Sequence, residues 1–362
     1  MRVVVCGGGV VGACIAYFLG RRGVEVVLVE RTGIACAASG KSGGFLALDW
    51  CDGTALGRLA RRSFALHAEL AMALDGGRWG YRRLSTWSVS ASGRRGSPRP
   101  AIGWLGERAL LHGRLGSPET TAQVHPARFT EAMVAAAVDL GAQVRIGQVT
   151  GIVRAPSGAA TGVEVEGEFL AAGAVVIAMG PWSVAACGWL PLPAVYGLKG
   201  NSILFRSGDA ISADALFVEL VADGKTDTPE VFPRPDGTTY VCGLSSQQPL
   251  PDDPARVAPD PGAEDALRRM TAAFAPGLAE APVTTVQACY RPVTRDGLPL
   301  LGDVPGVANA FVATGHNVWG ILNAPASGEA MAELIVDGAT RQIDLRWFDP
   351  ARLPPAVLEA SG

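Results

Sequence analysis

The first thirty residues alternate between apolar runs and glycines. Residues Arg2 to Cys6 form a short apolar run that is typical of a buried strand. Residues Ala13 to Arg22 continue as an apolar helix, and Gly23 follows where a helix C-cap glycine belongs. A second apolar run, Val24 to Val29, then ends at Glu30. The pattern predicts a strand, a tight turn, a helix and a second strand.

The rest of the chain mixes helical periodicity with β-rich stretches. Helices are predicted over 53–74, 127–140 and 263–274, and a last helix ends at Gly338. The stretches 79–116 and 198–243 are β-rich, and the second of them contains a hairpin around Asp236-Gly237. We therefore predict a discontinuous α/β domain (1–78, 117–197 and 290–362) and a second, β-rich domain (79–116 and 198–289).

The glycines of the first turn are spaced as Gly7-x-Gly9-x-x-Gly12. In a dinucleotide-binding turn, the first glycine permits the tight turn and the second lets the backbone approach a pyrophosphate. The third allows close packing of helix and strand, and the helix N-terminus faces the phosphates. Glu30, about twenty residues beyond the glycines, can accept hydrogen bonds from ribose hydroxyls. The motif predicts dinucleotide binding, and the alternative is an ordinary turn into a buried helix.

Length, composition and charge limit the remaining possibilities. A chain of 362 residues suggests two domains or one large one. A signal peptide fits badly because Arg2 is the only basic residue before the apolar run, and this run is too short to span a bilayer. The formal net charge of −3 gives no bulk attraction to nucleic acid. Six arginines between Arg78 and Arg99 are interleaved with Gly, Ser and Pro, so they are interpreted as solvated loops.

The seven cysteines form no CxxC pair and accompany no His-rich cluster. This scatter argues against a metal site and against a secreted disulfide framework. We expect a reducing compartment, which would be the cytoplasm, or an organelle interior if a transit peptide has been removed.

Three later stretches carry further motifs. They are VVIAMGPWS (175–183), YRPVTRDGLPLLGD (290–303) and FVATGHNVWGILNAPASGEAMAELI (311–335). With the N-terminal motif and HPARFTEAMVAAAVDLGAQV, they resemble the D-amino-acid oxidase superfamily of FAD-dependent oxidoreductases, which includes glycine and sarcosine oxidases. The resemblance implies a Rossmann-like FAD-binding domain of the glutathione-reductase type, with a second, antiparallel β-rich substrate domain.

The resemblance also implies a cofactor site built from several segments. Its residues are Gly7, Gly9, Val10, Val11, Gly12, Glu30, Arg31, Ala38, Ser39, Lys41, Ser42, Gly43, Gly44, Val149, Ala178, Gly180, Trp182, Gly315, His316, Asn317, Val318, Trp319, Gly320 and Ile321. Relatives usually have a neutral polar residue where Lys41 stands, so its contact with phosphate stays open. The loop around Lys41 has an alternative interpretation as a plain linker.

The C-terminal motif favours FAD over a nicotinamide cofactor. Reduction of a flavin places negative charge at its N1–C2=O edge, and a helix N-terminus stabilises such a charge. The turn TGHNVWGIL before the last helix supplies one. A buried strand–helix corner is the alternative interpretation.

The implied function is oxidation of a small amine or amino acid, with hydride transfer from the substrate carbon to flavin N5. Arg291 is expected to pair with the substrate carboxylate, because a guanidinium suits bidentate binding, although a structural salt bridge would also explain it. His316 is a second catalytic candidate, or a packed turn histidine. Trp50, Phe232 and Trp319 are candidates for the substrate wall, and Arg234 is a further candidate partner for an anion.

Several alternatives stay open. Cys289 stands near a position at which some sarcosine-oxidase-like relatives attach FAD covalently, although Tyr-Arg-Pro after it resembles the non-covalent members. The same scaffold also suits a 2-hydroxy-acid dehydrogenase, or a flavoprotein kept mainly for assembly. The electron acceptor is O2 or unknown.

Overall fold

The computed structural model describes residues 1–92, 102–222 and 224–357. Its α-helices are α1 (Val10–Gly20), α2 (Ala38–Lys41), α3 (Gly57–Ala73), α4 (Pro126–Asp139), α5 (Ala263–Phe274), α6 (Pro276–Ala279) and α7 (Gly320–Asp337). Among the described residues, none of the helices combines the length and the apolar composition that crossing a bilayer demands.

The strands belong to four sheets. They are β1 (Arg2–Cys6), β2 (Glu25–Glu30), β3 (Phe45–Ala47), β4 (Arg82–Arg83), β5 (Thr86–Ser92), β6 (Ala109–Gly116), β7 (Thr121–Gln123), β8 (Gln143–Ile146), β9 (Val149–Arg154), β10 (Ala160–Val165), β11 (Glu168–Ala171), β12 (Ala174–Ile177), β13 (Tyr196–Arg206), β14 (Ala215–Ala222), β15 (Lys225–Asp227), β16 (Glu230–Pro233), β17 (Thr238–Ser246), β18 (Val283–Val293), β19 (Leu300–Asp303) and β20 (Ala310–Thr314).

A six-stranded sheet with the order β19-β20-β12-β1-β2-β8 forms the centre of the first layer. Strand β1 lies inside this sheet and pairs in parallel with β2 and β12. Val3 and Val5 face a core that includes α1, α4 and α7, whereas Val4 and Cys6 face a second core shared with the sheet β9–β11. Burial on both faces explains why β1 and β2 are continuous apolar runs.

The second layer is a mostly antiparallel sheet with the order β18-β13-β17-β16-β14-β5-β6, and β15 pairs with β14. Helix α5 packs on one face of it, where Leu267 and Phe274 join the buried core. The opposite face carries Phe232 and Tyr240 towards the first layer. The predicted α/β class with an antiparallel β-rich sheet is confirmed.

The structure differs from the predicted boundaries at several places. Helix α1 begins at Val10, inside the glycine motif, and ends at Gly20, so its C-cap is Arg21 and not Gly23. The residues 32–48 contain α2 and β3. The predicted domain boundaries at 197/198 and 289/290 fall inside β13 and β18. Pro292 lies in β18, which is an edge strand, where proline is tolerated. The division into two domains stays a prediction.

Helices α1 and α7 approach each other at Gly328. A Cβ at this position would lie 2.7 Å from the backbone carbon and the Cβ of Cys14. We expect Gly328→Ala to lower the free energy of unfolding by about 1–3 kcal/mol, because the extra methyl overpacks a closed contact. Urea unfolding of the purified protein checks this. Gly277→Ala is the matched control, since its added methyl meets open space, and an equal loss in both variants would contradict the explanation.

Candidate cofactor and substrate site

The glycine motif is shaped by close approaches of the backbone. Gly7 has φ +119°, and a Cβ there would collide with the carbonyl oxygen of Ala178, at the end of the neighbouring strand β12. A Cβ at Gly12 would collide with the carbonyl oxygen of Gly7. Both positions therefore require glycine, and the turn brings the N-terminus of α1 against the carboxyl ends of β1 and β12.

Two polar side chains fix the open side of this turn. The carboxylate of Glu30 accepts hydrogen bonds from the backbone N–H of Gly8 (2.7 Å) and of Thr32 (2.9 Å). The hydroxyl of Ser39 accepts one from the N–H of Val10 at the start of α1 (2.9 Å). Glu30 and Ser39 therefore stand beside the free end of the helix.

A cavity of about 670 Å³ opens at this turn. Thirteen of the predicted cofactor residues line it: Gly7, Gly9, Val10, Val11, Glu30, Arg31, Ala38, Ser39, Val149, Ala178, Gly180, Trp182 and His316. The structure thus brings together segments that lie up to three hundred residues apart. The other predicted cofactor residues lie outside the lining of this cavity: Gly12, Lys41, Ser42, Gly43, Gly44, Gly315, Asn317, Val318, Trp319, Gly320 and Ile321.

The segment from Lys41 to Gly44 packs against side chains of the large sheet. The carbonyl oxygen of Lys41 accepts a hydrogen bond from Gln287 Nε2 (3.0 Å), and that of Ser42 accepts one from Arg234 Nη2 (2.9 Å). A Cβ at Gly43 would collide with the ring of Phe232. These contacts fix the segment to the large sheet and do not support its interpretation as a plain linker; its contact with the cofactor stays a prediction.

His316 lies in the turn between β20 and α7. Its ring is buried, and Nε2 lies 2.9 Å from the hydroxyl of Ser327. Burial lowers the pKa of the imidazole to about 4, so the ring is neutral near pH 7. The structure shows a cavity-lining side chain tied to α7, and its catalytic role stays a prediction. Val318, in the same turn, is 55% exposed.

Two predicted wall residues belong to one aromatic cluster. Trp50 packs against Phe45 and Phe217, with ring centroids 5.1 Å and 4.8 Å apart, and Phe232 stacks on Phe45 at 5.4 Å. Tyr240 stacks on Phe232 from the other side, at 6.1 Å. The third predicted residue, Trp319, packs instead against the core around α7. Phe45, Phe217 and Tyr240 were not identified from the sequence, because they carry no motif of their own.

Arg291 lies on β18 and reaches across the sheet. A Cβ at Gly200 of the neighbouring strand would lie 3.0 Å from its Nη2. The same nitrogen donates a hydrogen bond to Ser245 Oγ on β17 (3.2 Å). Within the described ranges, no carboxylate forms an ion pair with Arg291. This does not support the alternative interpretation of Arg291 as a structural salt bridge.

A further segment closes the cavity and was not predicted from the sequence. Leu250, Pro251, Asp252 and Pro254 line it, and they belong to a proline-rich stretch without a motif of its own. Trp182 Nε1 donates to the carbonyl oxygen of Pro251 (2.7 Å), and Arg31 donates to that of Asp252. Two predicted cofactor residues therefore also hold this segment in place.

The arginine-rich stretch does not form one uniform patch in the part that is described. Arg82 donates to the side chain of Gln123 and to the carbonyl oxygen of Pro233, and the Arg83 guanidinium lies 4.5 Å from the centre of the Phe64 ring. Arg94, Arg95 and Arg99 lie outside the described residues.

Comparison with known proteins identifies the family. A family model described as "FAD dependent oxidoreductase" matches residues 2–334. The chain belongs to this family. FAD is therefore its cofactor, as predicted, and the protein is an oxidoreductase.

Individual relatives agree with this family assignment. The protein C1F5.03c of Schizosaccharomyces pombe, named as an oxidoreductase, is 30% identical over 382 residues, which cover 96% of this chain and 97% of that protein. Glycine oxidase from Geobacillus kaustophilus is 28% identical over 361 residues, which cover 92% of each.

Solved structures show the same fold. A crystal structure of glycine oxidase from Geobacillus kaustophilus matches with a TM-score of 0.82 at 24% identity, and the match covers 97% of this chain and 99% of that one. A crystal structure of L-proline dehydrogenase from P. horikoshii matches with a TM-score of 0.80 at 21% identity and covers 97% of each chain. Both likenesses concern the fold alone.

The residues present fit FAD. The backbone of the glycine turn packs so closely that side chains would collide with it, and the N-terminus of α1 favours an anion. Among the described residues, the buried hydroxyl of Ser42 and the buried side-chain oxygen of Asn317 have no hydrogen-bond partner. Buried polar atoms of this kind need partners, and the polar atoms of a flavin dinucleotide can supply them.

We expect Glu30→Ala to weaken FAD binding by about 1–3 kcal/mol, because charged hydrogen bonds at the open side of the turn are lost. Titration of the apo-protein with FAD measures the change in dissociation constant. Glu25→Ala is the control, since Glu25 begins the same strand but pairs with Arg2 at the surface. An unchanged constant in Glu30→Ala would show that the cofactor does not depend on this carboxylate.

We also expect FAD to be released into the supernatant when the protein is precipitated with acid. Cys289, the candidate for a covalent bond, is half-buried on β18. Burial raises the pKa of its thiol, although Arg291 and Lys41 oppose this, so the thiol is mainly protonated and a poor nucleophile. Yellow colour that stays in the pellet would indicate a covalent bond, and Cys289→Ser would then release it.

Proposed function

We propose that this protein oxidises a small amine or amino acid, and that Arg291 binds the carboxylate of an amino-acid substrate. The observation that carries the proposal is the position of Arg291 on the sheet face that meets the residues 41–44, which we call the cofactor segment. Among the described residues, Arg291 has no ion-pair partner. A half-buried guanidinium that lacks an anion of its own suits an anionic ligand.

The contacts of β18 show which way the side chain of Arg291 faces. Gln287 and Arg291 are four residues apart on β18, so their side chains lie on the same face of the sheet. Gln287 donates to the carbonyl oxygen of Lys41 in the cofactor segment. Arg291 therefore faces the same side of the site as the segment that we assign to FAD.

We assign FAD to the cavity at the glycine turn. The end of α1, with Ser39 beside it, is assigned to the pyrophosphate, and Glu30 to the adenosine ribose. The residues 41–44 and the turn 315–321 are assigned to the flavin end, where polar atoms of Ser42 and Asn317 find no partner within the described part of the chain. The N-terminus of α7 would stabilise negative charge there through its dipole and N–H groups.

The chain's own residues would act mainly by positioning. FAD, when bound, accepts the hydride from the substrate carbon. Arg291 would hold the carboxylate and so orient that carbon, and the cluster of Phe45, Trp50, Phe217 and Phe232 would exclude water from one side. The related proteins named glycine oxidase and L-proline dehydrogenase make an amino acid the first substrate class to test.

We expect Arg291→Ala to lower kcat/KM for an amino-acid substrate by about two to four powers of ten, which corresponds to about 3–5 kcal/mol for leaving a desolvated carboxylate unpaired. FAD content should stay the same. Arg291→Lys should recover only part of the rate, because an ammonium cannot make the planar double contact.

The measurement is anaerobic reduction of bound FAD by a panel of amino acids, simple amines and 2-hydroxy acids, with the wild type and both variants. Arg295→Ala is the matched control, since Arg295 follows the same strand in an exposed turn. A best substrate without a carboxylate would refute the assignment of Arg291. A hydroxy acid as best substrate, or no turnover at all, would refute the proposed function.

A further inference from the structure

A carboxylate lies on the same face of the large sheet as Arg291. Glu230 begins β16, two residues before Phe232, so the two side chains lie on one face. Phe232 contacts Gly43 and stacks on Phe45. The face that carries Glu230 is therefore the face that meets the cofactor segment, as it is for Gln287 and Arg291.

Strand register places the two charged groups near each other. Arg291 crosses β13 above Gly200, and its guanidinium ends beside Ser245 on β17. Glu230 pairs in register with Cys242 on the same strand β17. The guanidinium therefore ends beside β17, which lies one strand spacing, about 4.8 Å, from β16, the strand of Glu230. Along β17, Ser245 is three residues beyond Cys242, the residue opposite Glu230.

The two groups do not satisfy each other. In the described part of the chain neither forms an ion pair, and the hydrogen bond that Glu230 receives comes from the thiol of Cys242 (3.7 Å from Sγ to Oε2). Burial raises the pKa of the Glu230 carboxyl, while the charge of Arg291 opposes this. A half-buried carboxylate without a cation is costly, and such groups are usually retained where a ligand supplies the missing charge.

We propose that Glu230 is a specificity-determining residue that binds the ammonium group of a zwitterionic amino-acid substrate whose carboxylate is held by Arg291. A zwitterion placed between the two side chains would satisfy both charges at once. The inference rests on the proposed function, and it restricts that function to substrates that carry both an anionic and a cationic group.

Neighbouring groups agree with this assignment. The side chains around Glu230 on this face are Phe217, Phe232, Tyr240 and Cys242, and none of them carries a charge near pH 7. Within the described residues the cation whose charge acts on Glu230 is Arg291. A 2-hydroxy acid would place a neutral hydroxyl, and no cation, beside this carboxylate, so the pair selects amino acids over hydroxy acids.

The experiment compares matched ligands on the FAD-loaded protein. Glycine and acetate, and D- or L-alanine and propionate, are pairs that differ only by the amino group. Carboxylate binding is measured by perturbation of the flavin absorbance. Amino-acid binding is measured in the same way for ligands that do not reduce the flavin, or from the concentration dependence of anaerobic reduction.

We expect Glu230→Gln to weaken amino-acid binding by about 10- to 100-fold, as the loss of a charged hydrogen bond predicts. Acetate and propionate should bind as tightly as before or more tightly, because a repulsive charge is gone. Glu230→Asp, which keeps the charge, should recover part of the selectivity. Glu219→Gln is the control, since it removes a charge from an exposed position on the adjacent strand β14.

The possible outcomes separate the two proposals. If Glu230→Gln binds amino acids like the wild type, or loses amino acids and simple carboxylates equally, Glu230 does not recognise the amino group and the inference fails alone. If the wild type oxidises simple amines but neither binds nor oxidises any amino acid, the inference fails and the proposed function stands. If it oxidises neither amines nor amino acids, the proposed function fails and the inference fails with it. A selective loss of amino-acid binding in Glu219→Gln would also overturn the inference.

Discussion

The architecture of the site depends on the approach of two backbones at Gly7. The carbonyl oxygen of Ala178 occupies the space that a side chain at Gly7 would need, and the carbonyl oxygen of Gly7 occupies the space that a side chain at Gly12 would need. This contact sets the distance between β1, β12 and α1, and the free end of α1 is aimed into the cavity only because that distance is short. Close packing of this kind transmits small displacements, since interiors have few voids to absorb them.

A second constraint joins the two layers. The segment 41–44 is held by Gln287 from β18, by Arg234 from the hairpin and by the ring of Phe232. The segment 41–44 and the sheet face that carries Arg291 are therefore parts of one packed unit. Under the proposed assignment, cofactor and substrate would be positioned relative to each other without a separate hinge, because two side-chain hydrogen bonds and a steric contact fix this loop to the large sheet.

Charge is distributed unevenly over this unit. Buried histidines such as His316 and His67 are held neutral by desolvation, with pKa values of about 4. Arg291 and Glu230 are charged groups on the sheet face that meets the segment 41–44, and Arg234 donates a hydrogen bond to Ser42 of that segment. Mostly apolar walls with a pair of opposite charges would suit a small zwitterion, which is bound through few but strong contacts.

The sequence by itself determined the elements that depend on local pattern. Strand β1, helix α5 and the hairpin at Gly237 follow from periodicity and turn chemistry, and the glycine spacing indicated the cofactor. Only the tertiary structure decided which distant residues share a face. Glu230, Phe45, Phe217 and the segment 250–254 carry no local signal, because their roles come from strand register and from packing between layers, which involve residues far apart in the chain.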